Sequence, residues 1–138
     1  MRTSGYSGKS LVDKLGIKPG MRIAIVGAPG GFRTTLGPLP DGVSVTATPR
    51  GILPFIHFFA KERSLLGRRF PALKRALAQD GALWVSWPKK SSGVETDLTE
   101  DVVREVALAG GLVDVKVCAI DNVWSGLKLV RRLKDRTR

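Results

Sequence analysis

Residues 22–32 read RIAIVGAPGGF, and this stretch decides the fold class. Four apolar residues follow Arg22, and a turn containing Pro29 and three glycines comes next. A continuous apolar run bounded by glycine is typical of a strand buried on both faces, as in parallel sheets. The stretch therefore predicts a strand over Met21–Ala28 that turns tightly into a helix over Phe32–Leu36.

The rest of the chain alternates between segments with the periodicities of strands and helices. Further strands are predicted over Val43–Thr48, Ile52–Ala60, Ala82–Trp87, Leu112–Ile120 and Trp124–Leu133. Further helices are predicted over Lys9–Leu15, Lys61–Gln79 and Leu98–Leu108. This alternation predicts an α/β fold with a mainly parallel sheet and helices on both faces. The last two strands form an antiparallel pair, because only the turn residues Asp121-Asn122 and Val123 separate them.

Three local features refine this prediction. The few residues between Thr48 and Ile52 leave no room for a parallel crossover, so Val43–Thr48 is an edge piece, a hairpin partner or an irregular segment. In the helix over Lys61–Gln79, Gly67 and Pro71 predict a break, and its sheet-facing residues are Leu66, Phe70, Leu73 and Leu77. Asp97 with Glu100 resembles a capping box at the start of the next helix.

Composition and charge restrict the class of protein. The 138 residues predict one domain over 1–138, with flexible ends at 1–8 and 134–138. The net charge of +11 favours anionic partners, nucleic acid first, although a solubilising basic surface explains it as well. Basic residues gather on the helix over Lys61–Gln79 and again near the C-terminus.

Cysteine usage and hydropathy make further restrictions. Cys118, the one cysteine, excludes an internal disulfide, and its apolar neighbours predict a core position. No hydrophobic run has the length of a signal peptide core or a membrane span, so we expect a cytoplasmic protein without membrane contact.

Three segments carry a family resemblance: GALWVSWPKKSSG (81–93), DLTEDVVREV (97–106) and GLVDVKVCAIDNVWSGLKLV (111–130). They are similar to a family of short bacterial proteins of unknown function. Together with the Gly-rich end of the first strand, they resemble an abridged class I, Rossmann-like methyltransferase fold. The resemblance implies this fold and no particular activity.

The chain also departs from the pattern of working methyltransferases. In those enzymes an acidic residue usually ends the first strand, and a second acid, which holds the ribose hydroxyls, ends the second strand. Here Ile25-Val26-Gly27 and Val43–Arg50 contain no acid, and one strand–helix unit is missing. Phe59-Ala60-Lys61 stands where an Asn/Asp-Pro-Pro-aromatic motif is usual. The S-adenosylmethionine contacts that the resemblance implies are therefore mostly unsupported.

Two loops at predicted carboxyl ends of strands are candidates for a ligand site. Their residues have backbone N–H groups, hydroxyls and cations suited to an anion, and they are Gly27, Gly30, Gly31, Lys89, Lys90, Ser91 and Ser92. The glycine spacing matches neither a dinucleotide fingerprint nor a P-loop, so a tight turn without ligand and a solvated loop remain alternatives.

Catalytic and metal-binding residues find less support. His57, the one histidine, lies in an apolar strand and is interpreted as a hydrogen-bonded core residue. The acids Glu95, Asp97, Glu100 and Asp101 are interpreted as favouring a helix N-terminus. No catalytic residue or metal ligand is assigned.

From these features we expect a non-catalytic methyltransferase-like domain that binds an anionic small molecule or a protein partner. The alternatives are a basic accessory protein that binds RNA or DNA, and an active S-adenosylmethionine-dependent methyltransferase.

Overall fold

A computed structural model describes residues 9–137. Its strands are β1 Arg22–Val26, β2 Ser44–Thr46, β3 Leu53–Phe59, β4 Leu77–Pro88, β5 Val113–Ala119 and β6 Trp124–Val130. Its helices are α1 Leu11–Leu15, α2 Phe32–Leu36, α3 Arg63–Ala76 and α4 Glu100–Ala109, with 3-10 turns at Lys90–Ser92 and Leu133–Asp135. The strands form one sheet in the order β2-β1-β3-β4-β6-β5. The first four along the sheet are parallel, and β6 is antiparallel to both β4 and β5, which confirms the predicted fold class.

The core consists of two layers, one on each face of the sheet. Strand β3 contributes Ile56 and Phe58 to the layer beneath α3 and α4, and Phe55 and Phe59 to the layer beneath α1 and α2. All four are nearly inaccessible to solvent. The central strands therefore carry continuous apolar runs because helices cover both faces.

The short strand β2 is an edge piece. It pairs in parallel with the first half of β1, from Arg22 opposite Ser44 to Ala24 opposite Thr46. The segment 47–52 then leads without a helix to the start of β3 on the other side of β1. Of the three interpretations of Val43–Thr48, the edge strand is confirmed, although only Ser44–Thr46 has strand pairing.

The predicted break in the third helix is wrong. Helix α3 continues through both Gly67 and Pro71. Leu66, Phe70 and Leu73 are buried on either side of the proline, and this packing outweighs the backbone hydrogen bond that a proline removes. The fourth predicted position, Leu77, is buried too, but it begins β4.

Helix α3 ends where Arg131 supplies hydrogen-bond donors. The mostly buried guanidinium donates to the carbonyls of Leu77 and Ala78 at 2.9 Å and to that of Lys74 at 2.8 Å. The last carbonyls of a helix lack intrahelical partners, and a charged donor satisfies them strongly. Arg131 is thus a structural residue, although the sequence places it in the basic C-terminal cluster.

Strand β4 begins at Leu77, earlier than the predicted Ala82, and its pairing with β3 contains a bulge near Gly81. Leu53 pairs with Leu77, whereas Phe55 already pairs with Ala82. A Cβ on Gly81 would lie 2.9 Å from the Pro54 carbonyl oxygen, so only glycine fits this bulge.

The predicted capping box is also wrong. Helix α4 begins at Glu100, and the Thr99 hydroxyl accepts the capping hydrogen bond from the Val102 N–H at 3.2 Å. The Asp97 carboxylate instead accepts from the Arg63 N–H at 2.7 Å, so it caps α3. Its partner is distant in sequence, and local spacing could not reveal it.

The ends of the chain and the cysteine differ in part from expectation. Cys118 lies half-buried on the edge strand β5 and packs against the layer beneath α1 and α2. The Thr137 N–H donates to the Gln79 side chain at 3.0 Å, so part of the tail expected to fray makes a specific contact. Residues 1–8 and Arg138 lie outside the described residues. Within 9–137, no helix has the length and apolarity needed to cross a membrane.

Two glycine-to-alanine substitutions should have opposite effects on stability. Gly110 ends α4 against α3, and a Cβ there would lie 2.3 Å from the Phe70 ring, so Gly110→Ala should lower the free energy of unfolding by about 1–3 kcal/mol. Gly67 lies on the exposed face of α3 with no atom within 4 Å of the added Cβ. Gly67→Ala should therefore raise that free energy by about 0.5–1 kcal/mol. Urea unfolding of both variants measures this, and equal effects would contradict the helix packing described here.

Candidate functional site

A cleft of about 750 Å³ opens at the carboxyl ends of β1 and β3. From β1 the chain passes to β2 on one side of the sheet, whereas β3 lies on the other side of β1. Such a reversal of strand order leaves a crevice outside the strand ends, and open α/β sheets bind their ligands there. We call this cleft, lined by Gly27, Phe59–Glu62, Leu65, 94–97 and Trp124, the switch-point cleft.

Gly27 allows the two strand ends to approach each other. Its φ is +73°, in the left-handed region that favours glycine. A Cβ at this position would lie 3.1 Å from the carbonyl oxygen of Phe59. The first glycine of GAPGGF is therefore needed for the backbone at the floor of the cleft.

An aromatic pair forms one side of the switch-point cleft. The rings of Phe59 and Trp124 meet edge to face, with centroids 5.3 Å apart. The Asp121 carboxylate fixes Trp124 by accepting from the N–H groups of Val123 and Trp124, both at 2.8 Å. The predicted turn before the last strand is thus confirmed, and it presents an aromatic side chain to the cleft.

The opposite side is the segment 94–97, which is tied to the start of α3. The Lys61 carbonyl accepts from the Thr96 hydroxyl at 2.5 Å and from the Asp97 N–H at 3.3 Å. With the bond from Arg63 to Asp97, these contacts hold a polar loop against the end of β3.

Carboxylates outnumber cations in the switch-point cleft. The Asp97 carboxylate accepts from the Arg63 N–H, whereas the exposed carboxylates of Glu62 and Glu95 have no hydrogen-bond or ion-pair partner among residues 9–137. Lys61 is the cation in the lining. Carboxylates accept hydrogen bonds, so the cleft suits a ligand that carries hydroxyl or amino groups and an apolar surface.

The glycines predicted for the ligand site do not all meet in this cleft. Gly27 lines it, but Gly30 and Gly31 do not. Gly31 precedes α2 with a φ of +82°, and its carbonyl accepts from the N–H groups of Thr34 and Thr35. Gly30 and Gly31 therefore form the tight turn between strand β1 and helix α2.

The lysines predicted for the site line a neighbouring cleft of about 600 Å³, which we call the lysine cleft. Lys89 and Lys90 share its lining with Glu95 and Glu100. The Ser92 hydroxyl donates to the Lys89 carbonyl at 2.6 Å and accepts from the Val94 N–H, so it stabilises its own loop. Ser91 lies in the 3-10 turn and lines neither cleft.

Sequence reasoning missed most of the switch-point cleft. It noted Phe59-Ala60-Lys61 only as a departure from a motif, and it interpreted Glu95 only as a residue near a helix start. The signal that could have found Ala60 and Lys61 is their position in the sequence, because residues directly after a buried parallel strand lie at its carboxyl end. Trp124 carried no such signal, since it starts a strand whose antiparallel direction brings it to the same end of the sheet.

His57 is a core residue, as predicted. It is completely buried, its Nε2 lies 2.7 Å from the Ser86 hydroxyl, and its ring stacks on Phe59 with centroids 4.2 Å apart. Burial disfavours the charged imidazolium and lowers the pKa of His57 from 6.5 to about 3. Its Nδ1 has no hydrogen-bond partner among the described residues.

Part of the predicted basic surface is used within the fold. Lys74 donates to the Gly110 carbonyl at the end of α4 at 2.9 Å, and Arg63 pairs with Glu105 at 3.1 Å. Arg132 pairs with Asp135 at 3.6 Å. The two ion pairs offset positive charge, and the carbonyl contacts of Lys74 and Arg131 occupy hydrogen-bond donors, so fewer groups in the two clusters are free to contact a polyanion.

The structural comparisons identify the fold. The chain is similar to an S-adenosylmethionine-dependent methyltransferase from Aquifex aeolicus, with 16% identity, a TM-score of 0.62 and 86% of each chain covered. It is similar to magnesium protoporphyrin IX methyltransferase from Synechocystis PCC 6803, with 11% identity, a TM-score of 0.57, and 88% of this chain and 78% of that chain covered. It is also similar to a TehB-like methyltransferase from Corynebacterium glutamicum, with 14% identity, a TM-score of 0.55, and 88% and 85% of the two chains covered.

These likenesses show that the fold is methyltransferase-like. The sequence itself matches no protein-family model and no curated protein.

The buried histidine should make stability depend on pH. The folded state keeps His57 neutral, whereas the unfolded chain binds a proton near pH 6.5, so stability is lost as the pH falls below 6.5. Between pH 7 and pH 5 the free energy of unfolding should decrease by about 2 kcal/mol. Urea unfolding at several pH values tests this. His57→Gln, which cannot titrate, should have lower stability but a flat profile in this range, and a steep profile in this variant would contradict the assignment.

Proposed function

We propose that this chain is a methyltransferase-like domain that binds a nucleoside-type small molecule, with S-adenosylmethionine as the first candidate, in the switch-point cleft. The observation that carries the proposal is the cleft itself. At the point where the strand order reverses, it combines an aromatic side with carboxylates that lack partners. The methyltransferase-like fold supports the same location, because doubly wound sheets bind their ligands there.

The chemistry of the lining favours a molecule with a flat apolar part and several donors. Trp124, which is 9% exposed, offers a small aromatic surface backed by the buried ring of Phe59, and Glu62 and Glu95 offer acceptors for ribose hydroxyls or an amino group. These glutamates supply carboxylates that the ends of β1 and β2 lack. The volume of about 750 Å³ lies in the usual range for pockets that bind small organic ligands.

An anionic ligand, as expected from the sequence, fits the lysine cleft better. In the switch-point cleft an anion would meet Glu62 and Glu95, whereas Lys89 and Lys90 line the neighbouring cleft. Glu95 and Glu100 lie there too, and Glu100 already pairs with Arg104. We therefore place an anion at the lysine cleft as the second candidate.

The function proposed is binding without methyl transfer, in agreement with the expectation from the sequence. His57, the one histidine, lies sealed in the core with a lowered pKa and does not line the cleft. A protein partner also agrees with this proposal, because Glu62 and Glu95 are exposed at the cleft.

Thermal unfolding with and without S-adenosylmethionine tests the proposal. At a ligand concentration of about one hundred times the dissociation constant, binding adds roughly 2.7 kcal/mol, which should raise the Tm of a domain this size by several degrees. Glu62→Gln keeps the shape of the side chain but removes its charge, so the shift should shrink. Asp41→Asn removes the same charge at an exposed position outside the cleft and should leave the shift unchanged.

The contradictory outcomes are equally clear. If S-adenosylmethionine and adenosine both leave the Tm unchanged, the nucleoside proposal is wrong. If pyrophosphate alone raises the Tm, and the double variant Lys89→Glu, Lys90→Glu abolishes that rise, the anion at the lysine cleft replaces it.

A further inference from the structure

We propose a separate binding site for a single phosphate group in a third cleft, of about 290 Å³, at the amino ends of β1, β2 and β3. We call it the arginine cleft, because its charged side chains are those of Arg22 and Arg50. Its other polar side chains are the hydroxyl residues Ser44 and Thr46, and Ile23, Val45 and Leu53 complete it.

The charge of the lining distinguishes this cleft from the two at the other end of the sheet. The switch-point cleft contains Glu62 and Glu95, and the lysine cleft contains Glu95 and Glu100. The arginine cleft has no carboxylate in its lining. Of the three clefts, it is therefore the one whose lining carries positive charge and no negative charge.

The fold itself brings the two arginines together. Arg22 begins β1, and its Nη2 donates to the Ile52 carbonyl at 3.2 Å, across thirty residues of sequence. That contact holds the guanidinium against the segment that carries Arg50. A Cβ added to Gly51 would lie 3.5 Å from the same nitrogen, so the chain directly after Arg50 passes beside the Arg22 guanidinium.

The hydroxyl residues come from the edge strand on the same side. Ser44 lies directly opposite Arg22 in the parallel pair. The Thr46 hydroxyl donates its one hydrogen to the Thr48 carbonyl at 3.2 Å, within the loop that leads to Arg50. The short strand β2 thus places the Ser44 hydroxyl beside Arg22 as a donor.

A phosphate is the anion that this arrangement fits. A guanidinium presents several N–H donors in a planar fork that matches phosphate oxygens, and the bond from Arg22 to Ile52 uses only one of its N–H groups. Neither arginine forms an ion pair within residues 9–137. The small volume holds a phosphate group with a short substituent rather than a whole nucleotide.

Titration with inorganic phosphate and with ribose 5-phosphate tests the site, with 31P NMR and the Tm as readouts and chloride added to constant ionic strength. We expect both to bind the wild-type chain. Tighter binding of the ester would indicate an organic phosphate as the ligand, and equal binding would indicate the phosphate group alone.

Two double variants that remove the same charge provide the matched comparison. Arg22→Gln with Arg50→Gln should weaken phosphate binding at least tenfold, whereas Arg68→Gln with Arg75→Gln, at exposed positions of α3 outside the three clefts, should leave it unchanged. Arg50→Gln alone keeps the bond from Arg22 to Ile52, so it removes one phosphate ligand without disturbing β1, and it should weaken binding too.

Absence of binding to the wild-type chain would overturn the proposal. So would equal weakening by the two double variants, which would indicate attraction by net charge alone. The S-adenosylmethionine experiment does not depend on either arginine, and the two proposals can therefore fail separately.

Discussion

The parallel pairing of β3 with β1 on one side and β4 on the other is the constraint on which the structure depends. It places one strand at the centre of the sheet, so that alternate residues of β3 enter opposite core layers. Because β2 lies on one side of β1 and β3 lies on the other, the strand order reverses at β1, and this reversal creates the switch-point cleft. The core and the main cleft therefore arise from one arrangement of strands.

The sequence predicts the sheet well because burial on two faces leaves a strong local pattern. Met21–Ala28 and Ile52–Ala60 are continuous apolar runs, and the strands they predict differ from β1 and β3 only at their ends. The details that failed depend on distant partners. Asp97 caps α3 rather than α4, and Arg131 binds the end of α3, because residues far apart in sequence meet across the sheet. Pro71 stays inside a helix because tertiary packing outweighs its local preference.

The candidate site could be predicted only in part. The rule that ligands lie at carboxyl ends of strands leads to Gly27, which lines the switch-point cleft, and the buried position of His57 followed from its apolar neighbours. The distribution of charged side chains between the clefts could not be predicted from the sequence. Lys89 and Gly27 occupy separate clefts, and the glutamates of the switch-point cleft come from two loops whose meeting depends on hydrogen bonds around the Lys61 carbonyl. The edge strand β2 showed no chemical signal until its pairing placed Ser44 opposite Arg22.

The most direct test of the switch-point cleft as the ligand site is a map of amide chemical shifts in the 15N-labelled chain as S-adenosylmethionine is added. We predict that the largest changes occur at Gly27, Ala60, Lys61 and Thr96 and at the indole N–H of Trp124, since these groups lie on the cleft. Changes confined to Lys89 and Lys90, or to Arg22 and Arg50, would contradict this assignment, and so would a spectrum that the ligand leaves unchanged.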